Sequence, residues 1–284
     1  MVYNKGKIIK NISNLYTVQV ANKLYECKPR GKFRYDKITP TVGDYCVVDT
    51  DNNYIMEILP RINNLTRPVV ANVDAAVIVT SLKEPDLSMN LLDKLIMIIT
   101  IKKIEPIICL TKLDLLNIDE INKINEIIEY YKSIGIKVVN NQNIDEIKDI
   151  LKNKTVVFTG QSGAGKSTLI NKLDTNLNLE TNEISKALGR GKHTTRHVEL
   201  YKIADFFVVD TPGFSSIDFE EILKADVKNG FIEFKKYECK FNDCNHYKEI
   251  NCGVKDAVNN GYILSSRYES YIDFYNEAKE SLWK

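Results

Sequence analysis

The first 60 residues alternate apolar and polar positions in short runs. Lys7–Lys10, Leu15–Val20, Lys23–Cys27, Asp44–Val48 and Tyr54–Ile58 are rich in β-branched and aromatic residues, and Gly, Asn, Pro and Asp punctuate them. This pattern predicts five strands. Five strands in so short a stretch suit a closed barrel of OB type. Beyond Thr66-Arg67-Pro68 the pattern changes. Val73–Thr80, Glu105–Leu110, Lys137–Val139 and Thr155–Thr159 are short, nearly continuous apolar runs and read as buried strands. Helical periodicity separates them over 91–98 and 118–133, and two further strands are expected over 198–201 and 205–209. Strands alternating with helices imply βαβ units around a parallel sheet. Helical patterns over 217–236 and 266–282 close the chain, the second carrying Tyr268, Tyr271, Phe274, Tyr275 and Leu282 as a packing stripe. The expected organisation is therefore a barrel over 1–66, an α/β domain over 67–216 and a small helical domain over 217–284.

Composition adds little until it is located. The 284 residues are 44% hydrophobic and carry a net charge of +1. Residues 1–37, however, hold nine Lys/Arg against Glu26 and Asp36. A basic barrel suits a polyanion; a solvated lysine face is the plain alternative. Within it, Lys28-Pro29-Arg30-Gly31-Lys32-Phe33-Arg34-Tyr35-Asp36-Lys37 sets two aromatic rings among cations, as in segments that stack on bases. No apolar run reaches the ~18 residues of a membrane span, and Met1–Lys10 lacks a signal-peptide core. A cytoplasmic chain that binds no membrane is expected. Cys27, Cys46 and Cys109 lie in strand-like stretches and are expected to be small buried residues.

The apolar run Thr155–Thr159 leads into Gly160-Gln161-Ser162-Gly163-Ala164-Gly165-Lys166-Ser167, the G-x-x-x-x-G-K-[ST] pattern, and Thr168 continues into a helix. Strand, glycine loop and helix start are the context that makes this pattern a phosphate cradle. Gly160 through Thr168 form the expected phosphate-binding set. Lys166 would reach the β- and γ-phosphates and Ser167 would hold Mg²⁺.

The run Glu105–Leu110 ends in Thr111-Lys112-Leu113-Asp114, which matches [NT]-K-x-D. A carboxylate at Asp114 would accept from the ring N–H and the exocyclic amine of guanine. Adenine offers neither donor there, so the carboxylate would be left unpaired. Lys112 would lay its stem along the base. Thr111 stands where Asn is commoner, so one bracing hydrogen bond is expected to differ. Ser185 to Arg196 holds four cations, two glycines and adjacent threonines, and reads as a loop closing on the γ-phosphate and Mg²⁺. Thr195 is the preferred magnesium ligand there, with Thr194 the alternative. The strand over 205–209 ends in Asp210-Thr211-Pro212-Gly213, a D-x-x-G: Asp210 would reach Mg²⁺ through water and the Gly213 N–H would sense the γ-phosphate. The place after this motif, where many such enzymes carry a water-orienting Gln, is Phe214. His193 is the in-chain candidate for that task; binding a partner's phosphate is its other reading. The guanine motif precedes the phosphate loop, the reverse of the usual order, so the sequence describes a circular permutation of a Ras-like domain.

Cys239-x4-Cys244-x-His246-x5-Cys252 sets three thiols and an imidazole within fourteen residues. Four protein ligands and no open position describe a structural zinc site.

Taken together, these motifs resemble the ribosome small subunit-dependent GTPase A family (RsgA, also called YjeQ or YloQ). The resemblance runs over nearly the full length. It adds Arg67-Pro68, Ala71-Asn72-Val73-Asp74 and Gly189-Arg190-Gly191-Lys192-His193-Thr194-Thr195 to the motifs above. Ile250, where a Pro is common, is a small departure. The family implies a bacterial cytoplasmic GTPase, here expected as a monomer, that acts late in maturation of the small ribosomal subunit. It implies contact with ribosomal RNA near the decoding region, faster hydrolysis of GTP to GDP on the subunit, and His193 as the catalytic residue. A nucleotide-gated RNA-binding assembly factor with incidental hydrolysis is the alternative from another class. A P-loop ATPase or kinase is a third, incompatible with the role given to Asp114.

Overall fold

A computed structural model describes residues 3–66, 68–174, 198–210 and 222–280. The chain forms two compact units. The first comprises Met1–Ala75, Asn143–Phe158 and Ser167–Phe214, and the second Ala76–Gln142, Thr159–Lys166 and Ser215–Lys284.

In the first unit, β1 (Tyr3–Ile12), β2 (Leu15–Val20), β3 (Lys23–Pro29), β4 (Tyr45–Asp49) and β5 (Tyr54–Ile58) form the five expected strands. Their pairings close a ring. β1 pairs with β2, β2 with β3, β3 with β5, β5 with β4, and β4 returns to β1. Only β3–β5 is parallel. Closure leaves the barrel no unpaired edge. A register shift between Ile8 and Lys10 bends β1, whose first half pairs with β4 and second half with β2. Inward positions alternate as the sequence requires: Ile8, Val18, Cys27, Cys46, Val48 and Ile55 are all fully buried. Burial pushes the Cys27 thiol up to about 11 and that of Cys46 up to about 12, consistent with inert packing residues.

β1 also meets β12 (Glu199–Ile203) at Lys10↔Glu199, where the two side chains form an ion pair at 2.9 Å. β12 pairs antiparallel with β13 (Phe206–Asp210), which runs parallel to β11 (Thr155–Thr159). Lys7 ties barrel to sheet: its buried ammonium donates to the Thr155 hydroxyl and lies 4.7 Å from the Tyr45 ring centroid. Burial pulls that ammonium below its ordinary value, and Asp74 pulls it back. The expected joint at Thr66-Arg67-Pro68 falls between two short paired strands, β6 (Asn64–Thr66) and β7 (Val69–Ala71). Helix α4 (Ile144–Leu151), started by the Asn143 side chain accepting from Glu146 N, was not among the expected elements.

In the second unit the strand order is β10 (Lys137–Asn140), β9 (Glu105–Thr111), β8 (Ala75–Ser81), with β10 parallel to β9. Ala75 to Val79 are each at most 1% exposed, so both faces of β8 are covered, as in a parallel sheet. Helices α2 (Met89–Ile101) and α3 (Ile118–Ser133) occupy the predicted places.

The pattern over 217–236 does not make one helix. From residue 222 it is broken into a short helix Lys224–Val227 and 3₁₀ turns Lys228–Gly230 and Ile232–Lys236. The cause is close packing. A Cβ on Gly230 would stand 2.3 Å from Met97 Cγ and 2.8 Å from Met97 Cα, so the backbone lies directly on α2 and bends there. A helix Gly253–Asn259 follows, and the last pattern forms Ser265–Glu277 with Tyr271 and Phe274 buried. Leu282 lies outside the described residues.

A buried polar network joins these pieces. Arg267, fully buried, donates to Asp93 Oδ1 at 2.6 Å and to Glu233 Oε1 at 2.8 Å. Tyr131 donates its hydroxyl to Asp93 at 2.6 Å and Tyr130 donates to Glu233 at 3.2 Å. The Phe231 ring lies 4.3 Å from the guanidinium. Burial pushes the Asp93 carboxyl up from the ordinary carboxylate range, and Arg267 pulls it down. Removing the cation would strand two carboxylates away from water. R267M is therefore expected to destabilise this unit by about 3–5 kcal/mol, read as a lower urea midpoint; an unchanged midpoint would show that the network is energetically idle.

Candidate active site and metal centre

The phosphate loop follows β11 and opens helix α5 (Lys166–Leu173). Gly160 has φ +131°, and a Cβ there would stand 2.1 Å from the Val79 carbonyl oxygen. Only glycine lets the loop leave its strand so close to β8. Lys166 Nζ donates to the carbonyls of Gly160 and Gln161 at 2.7 and 2.8 Å, which folds the ammonium over the loop it would serve. Burial lowers its pKa from the ordinary lysine value. Ser167 and Thr168 form the first turn of α5.

The guanine motif comes to the same place. Thr111 ends β9, is 1% exposed, and donates its hydroxyl to the Ala164 carbonyl at 2.7 Å. That hydrogen bond ties the end of β9 to the phosphate loop. Lys112 takes a left-handed conformation, φ 60°, and its ammonium donates to the Glu84 carbonyl. Asp114 sits exposed in the turn Leu113–Leu115, able to receive a ligand. The backbone N–H of Asn141, just after β10, donates to Leu110 O at 3.0 Å, which sets residues 140–142 beside the motif. Thr111 at the end of β9 and Ala164 in the glycine loop are thus in direct contact. His193, Thr194, Thr195 and Gly213 lie outside the described residues, as does the side chain of Asp210, which ends β13. A hydroxyl from Ser167, a hydroxyl from Thr195 and the Asp210 carboxylate are hard oxygen donors of the kind Mg²⁺ takes.

At the metal centre, the ligand atoms of Cys239, Cys244, His246 and Cys252 all lie within 4.8 Å of one another. Cys239 Sγ is 3.8 Å from Cys252 Sγ, and His246 Nδ1 is 3.4 Å from each of these two sulfurs. Tetrahedral zinc with bonds of ~2.3 Å to sulfur and ~2.0 Å to nitrogen needs ligand separations of about 3.8 and 3.5 Å. The donor set fits zinc, bound through Nδ1. Burial and the nearby Lys228 hold the His246 imidazole below its ordinary pKa, in the neutral form a metal requires. The surrounding loop is built for the job. Glu249 accepts from the Asn245 and Tyr247 N–H groups at 2.8 Å each, Lys228 donates to Cys244 O at 3.0 Å, and Tyr268 donates to His246 O at 2.8 Å. Phe234 packs edge-on against the imidazole.

The basic stretch of the barrel lines a cleft of about 850 Å³ with Lys28, Arg30, Arg34, Lys37 and Tyr54, and no carboxylate is among its lining residues. The two rings singled out by sequence behave differently. Residues 32–35 form a short helix, α1, that buries Phe33 at 6% exposure and leaves Tyr35 at 87%. Phe33 anchors the segment to the barrel and is not available to stack; Tyr35 is.

Comparison with known proteins separates the remaining readings. Residues 58–220 match the sequence model of the RsgA GTPase family, and residues 5–55 that of the RsgA N-terminal domain. The chain belongs to the RsgA family. A small ribosomal subunit biogenesis GTPase RsgA of Enterococcus faecalis is 46% identical over 98% of this chain and 97% of its own. The protein named RsgA 2 of Oceanobacillus iheyensis is 49% identical over 97% of each. The crystal structure of YjeQ from Thermotoga maritima superposes with a TM-score of 0.84 at 33% identity, covering 97% of this chain and 98% of that one. That of YloQ, described as a circularly permuted GTPase, gives 0.84 at 37% identity over 97% and 95%. This RsgA-family chain is thus a GTPase of permuted fold with an OB-type barrel and a Cys₃His metal cluster. Among the described residues, no helix is long and apolar enough to cross a membrane.

Proposed function

We propose that this protein hydrolyses GTP to GDP and phosphate as a late maturation factor of the small ribosomal subunit, acting in the cytoplasm as a monomer. The observation that carries the nucleotide reading is the 2.7 Å hydrogen bond from Thr111 to Ala164 O, which joins the guanine motif to the phosphate loop. The names of the relatives, small ribosomal subunit biogenesis GTPases, support the partner.

In this reading Asp114 selects guanine, Lys112 and Thr111 shape its pocket, and the backbone N–H groups from Gly160 to Thr168 with Lys166 hold the phosphates. Ser167, Thr195 and Asp210 hold magnesium, which neutralises charge developing on the phosphate oxygens. Gly213 senses the γ-phosphate. His193 orients the attacking water in place of the missing Gln. In this reading the chain works as three functional segments, a barrel over 1–66, a GTPase domain over 67–216 and a zinc-binding domain over 217–284. The cleft bearing Arg30, Arg34, Lys37 and Tyr54 faces ribosomal RNA, where cations neutralise phosphate and exposed rings stack on unpaired bases.

Single-turnover GTP hydrolysis with and without small subunits tests the whole. Stimulation by the subunit is expected, and its absence would favour an RNA-binding factor with incidental hydrolysis. H193A is expected to keep GTP affinity and to slow subunit-stimulated hydrolysis by roughly 10²-fold or more, the usual weight of general acid–base positioning. Unchanged turnover would remove His193 from this role.

A further inference from the structure

In the second unit, residues 83–85 touch both loops assigned to the nucleotide. Glu84 offers its carbonyl to the Lys112 ammonium. Pro85 Cδ lies 3.6 Å from where a Cβ on Gly163 would stand, so the segment also rests against the phosphate loop. One end is fixed by Ser81, whose buried hydroxyl donates to Lys83 O at 2.7 Å. The other is fixed by Lys83, whose ammonium reaches both carboxylate oxygens of Glu120, at 3.0 and 3.1 Å. Glu120 is not an arbitrary acceptor. It closes the capping box at the start of α3, accepting from Asn117 N at 2.8 Å while Asn117 Oδ1 accepts from Glu120 N at 3.0 Å. Those hydrogen bonds, foremost that from the Asn117 N–H and then the Lys83 contact, hold the Glu120 carboxyl below its ordinary value.

We propose that the Lys83–Glu120 ion pair straps residues 83–85 across the guanine pocket, positions Lys112 through the Glu84 carbonyl, and so sets how long guanine nucleotide stays bound. A free lysine stem has many rotamers, and laying it flat along a base loses them. A fixed carbonyl at its tip removes that cost before the nucleotide arrives. The carbonyl is only as fixed as the segment that carries it, and Lys83–Glu120 spans that segment and the helix following the guanine motif. Lys83 and Glu120 are positioning residues, since they act through Lys112. This inference rests on the guanine role given to Thr111–Asp114. A pair that merely steadies the start of α3 would shift melting and leave nucleotide release alone.

The test is release of N-methylanthraniloyl-GDP from the full, zinc-bearing chain, chased with GDP. K83M and E120Q are compared with wild type and with the charge swap K83E/E120K. Gln still accepts from Asn117 N, so E120Q removes charge and spares the cap. Each single variant is expected to release the probe roughly two- to fivefold faster at low salt, as suits a half-exposed pair, with the difference shrinking near 1 M salt. The swap is expected to return the rate toward wild type, and kcat at saturating GTP to stay unchanged. K112M is expected to release quickly and to erase any further effect of K83M. Unchanged release in both single variants would overturn the strap, as would a swap as fast as the singles combined. A wild-type chain that fails to bind the probe would instead remove the base assignment and the strap with it, so the two failures are distinguishable.

Discussion

Replacing Asp114 by Asn is expected to lower GTP affinity by roughly 10²–10³-fold, from the loss of two charge-assisted hydrogen bonds of about 1.5–3 kcal/mol each, partly offset by new weak ones. The same change is expected to raise affinity for xanthosine triphosphate. Xanthine carries a carbonyl where guanine carries its exocyclic amine, and the Asn amide can donate to it. Competition titration of wild type and D114N with GTP, XTP and ATP reads the result. The geometry behind the expectation is local: Asp114 is exposed in the turn that follows β9, whose last residue, Thr111, is hydrogen-bonded to Ala164 of the phosphate loop. A D114N chain that kept its GTP preference would separate base recognition from this turn.

Stripping the metal is the second large effect. Chelation, or Cys252→Ser, is expected to unfold the knuckle and loosen the aromatic cluster behind it. Structural zinc contributes about 10–16 kcal/mol in small peptides, as much as the usual total stability of a domain. The readouts are zinc content near one per chain, a fall in melting temperature, and loss of near-ultraviolet ellipticity from Tyr268 and Tyr271. Acid should mimic chelation. Burial pushes the Cys244 thiol up to about 12 and raises Cys252 above the ordinary thiol value. These ligands must therefore shed protons to take the metal. Affinity rises with pH and falls on acidification, and metal uptake in weak buffer should release protons. A chain that kept its melting temperature after complete metal removal would show the cluster to be dispensable.

The barrel, the parallel strands and the glycine loop were legible because each rests on local chemistry: period-two alternation, unbroken apolar runs, and residues a phosphate loop cannot do without. The metal ligands were legible for the same reason. Non-local packing was not. Nothing near residue 230 announces that its backbone will lie on Met97, so the break in the 217–236 pattern surfaced only in three dimensions. The short helices 144–151 and 253–259 carry too few turns for a periodic signal. Phe33 looked like a stacking residue because its neighbours are basic, yet the barrel takes it in. The Asp93–Glu233–Arg267 network joins residues separated by as many as 174 positions, and no spacing rule reaches that far. Lys83 and Glu120 were unremarkable in sequence for the same reason.

The seat of Gly230 on α2 carries a mechanical implication. The Gly230 backbone sits against both the side chain and the backbone of Met97, with no room for a further side chain between them, and Arg267 rivets the same joint. A tilt of α2 would therefore carry residues 228–236 with it, and with them the metal knuckle that Lys228 and Phe234 touch.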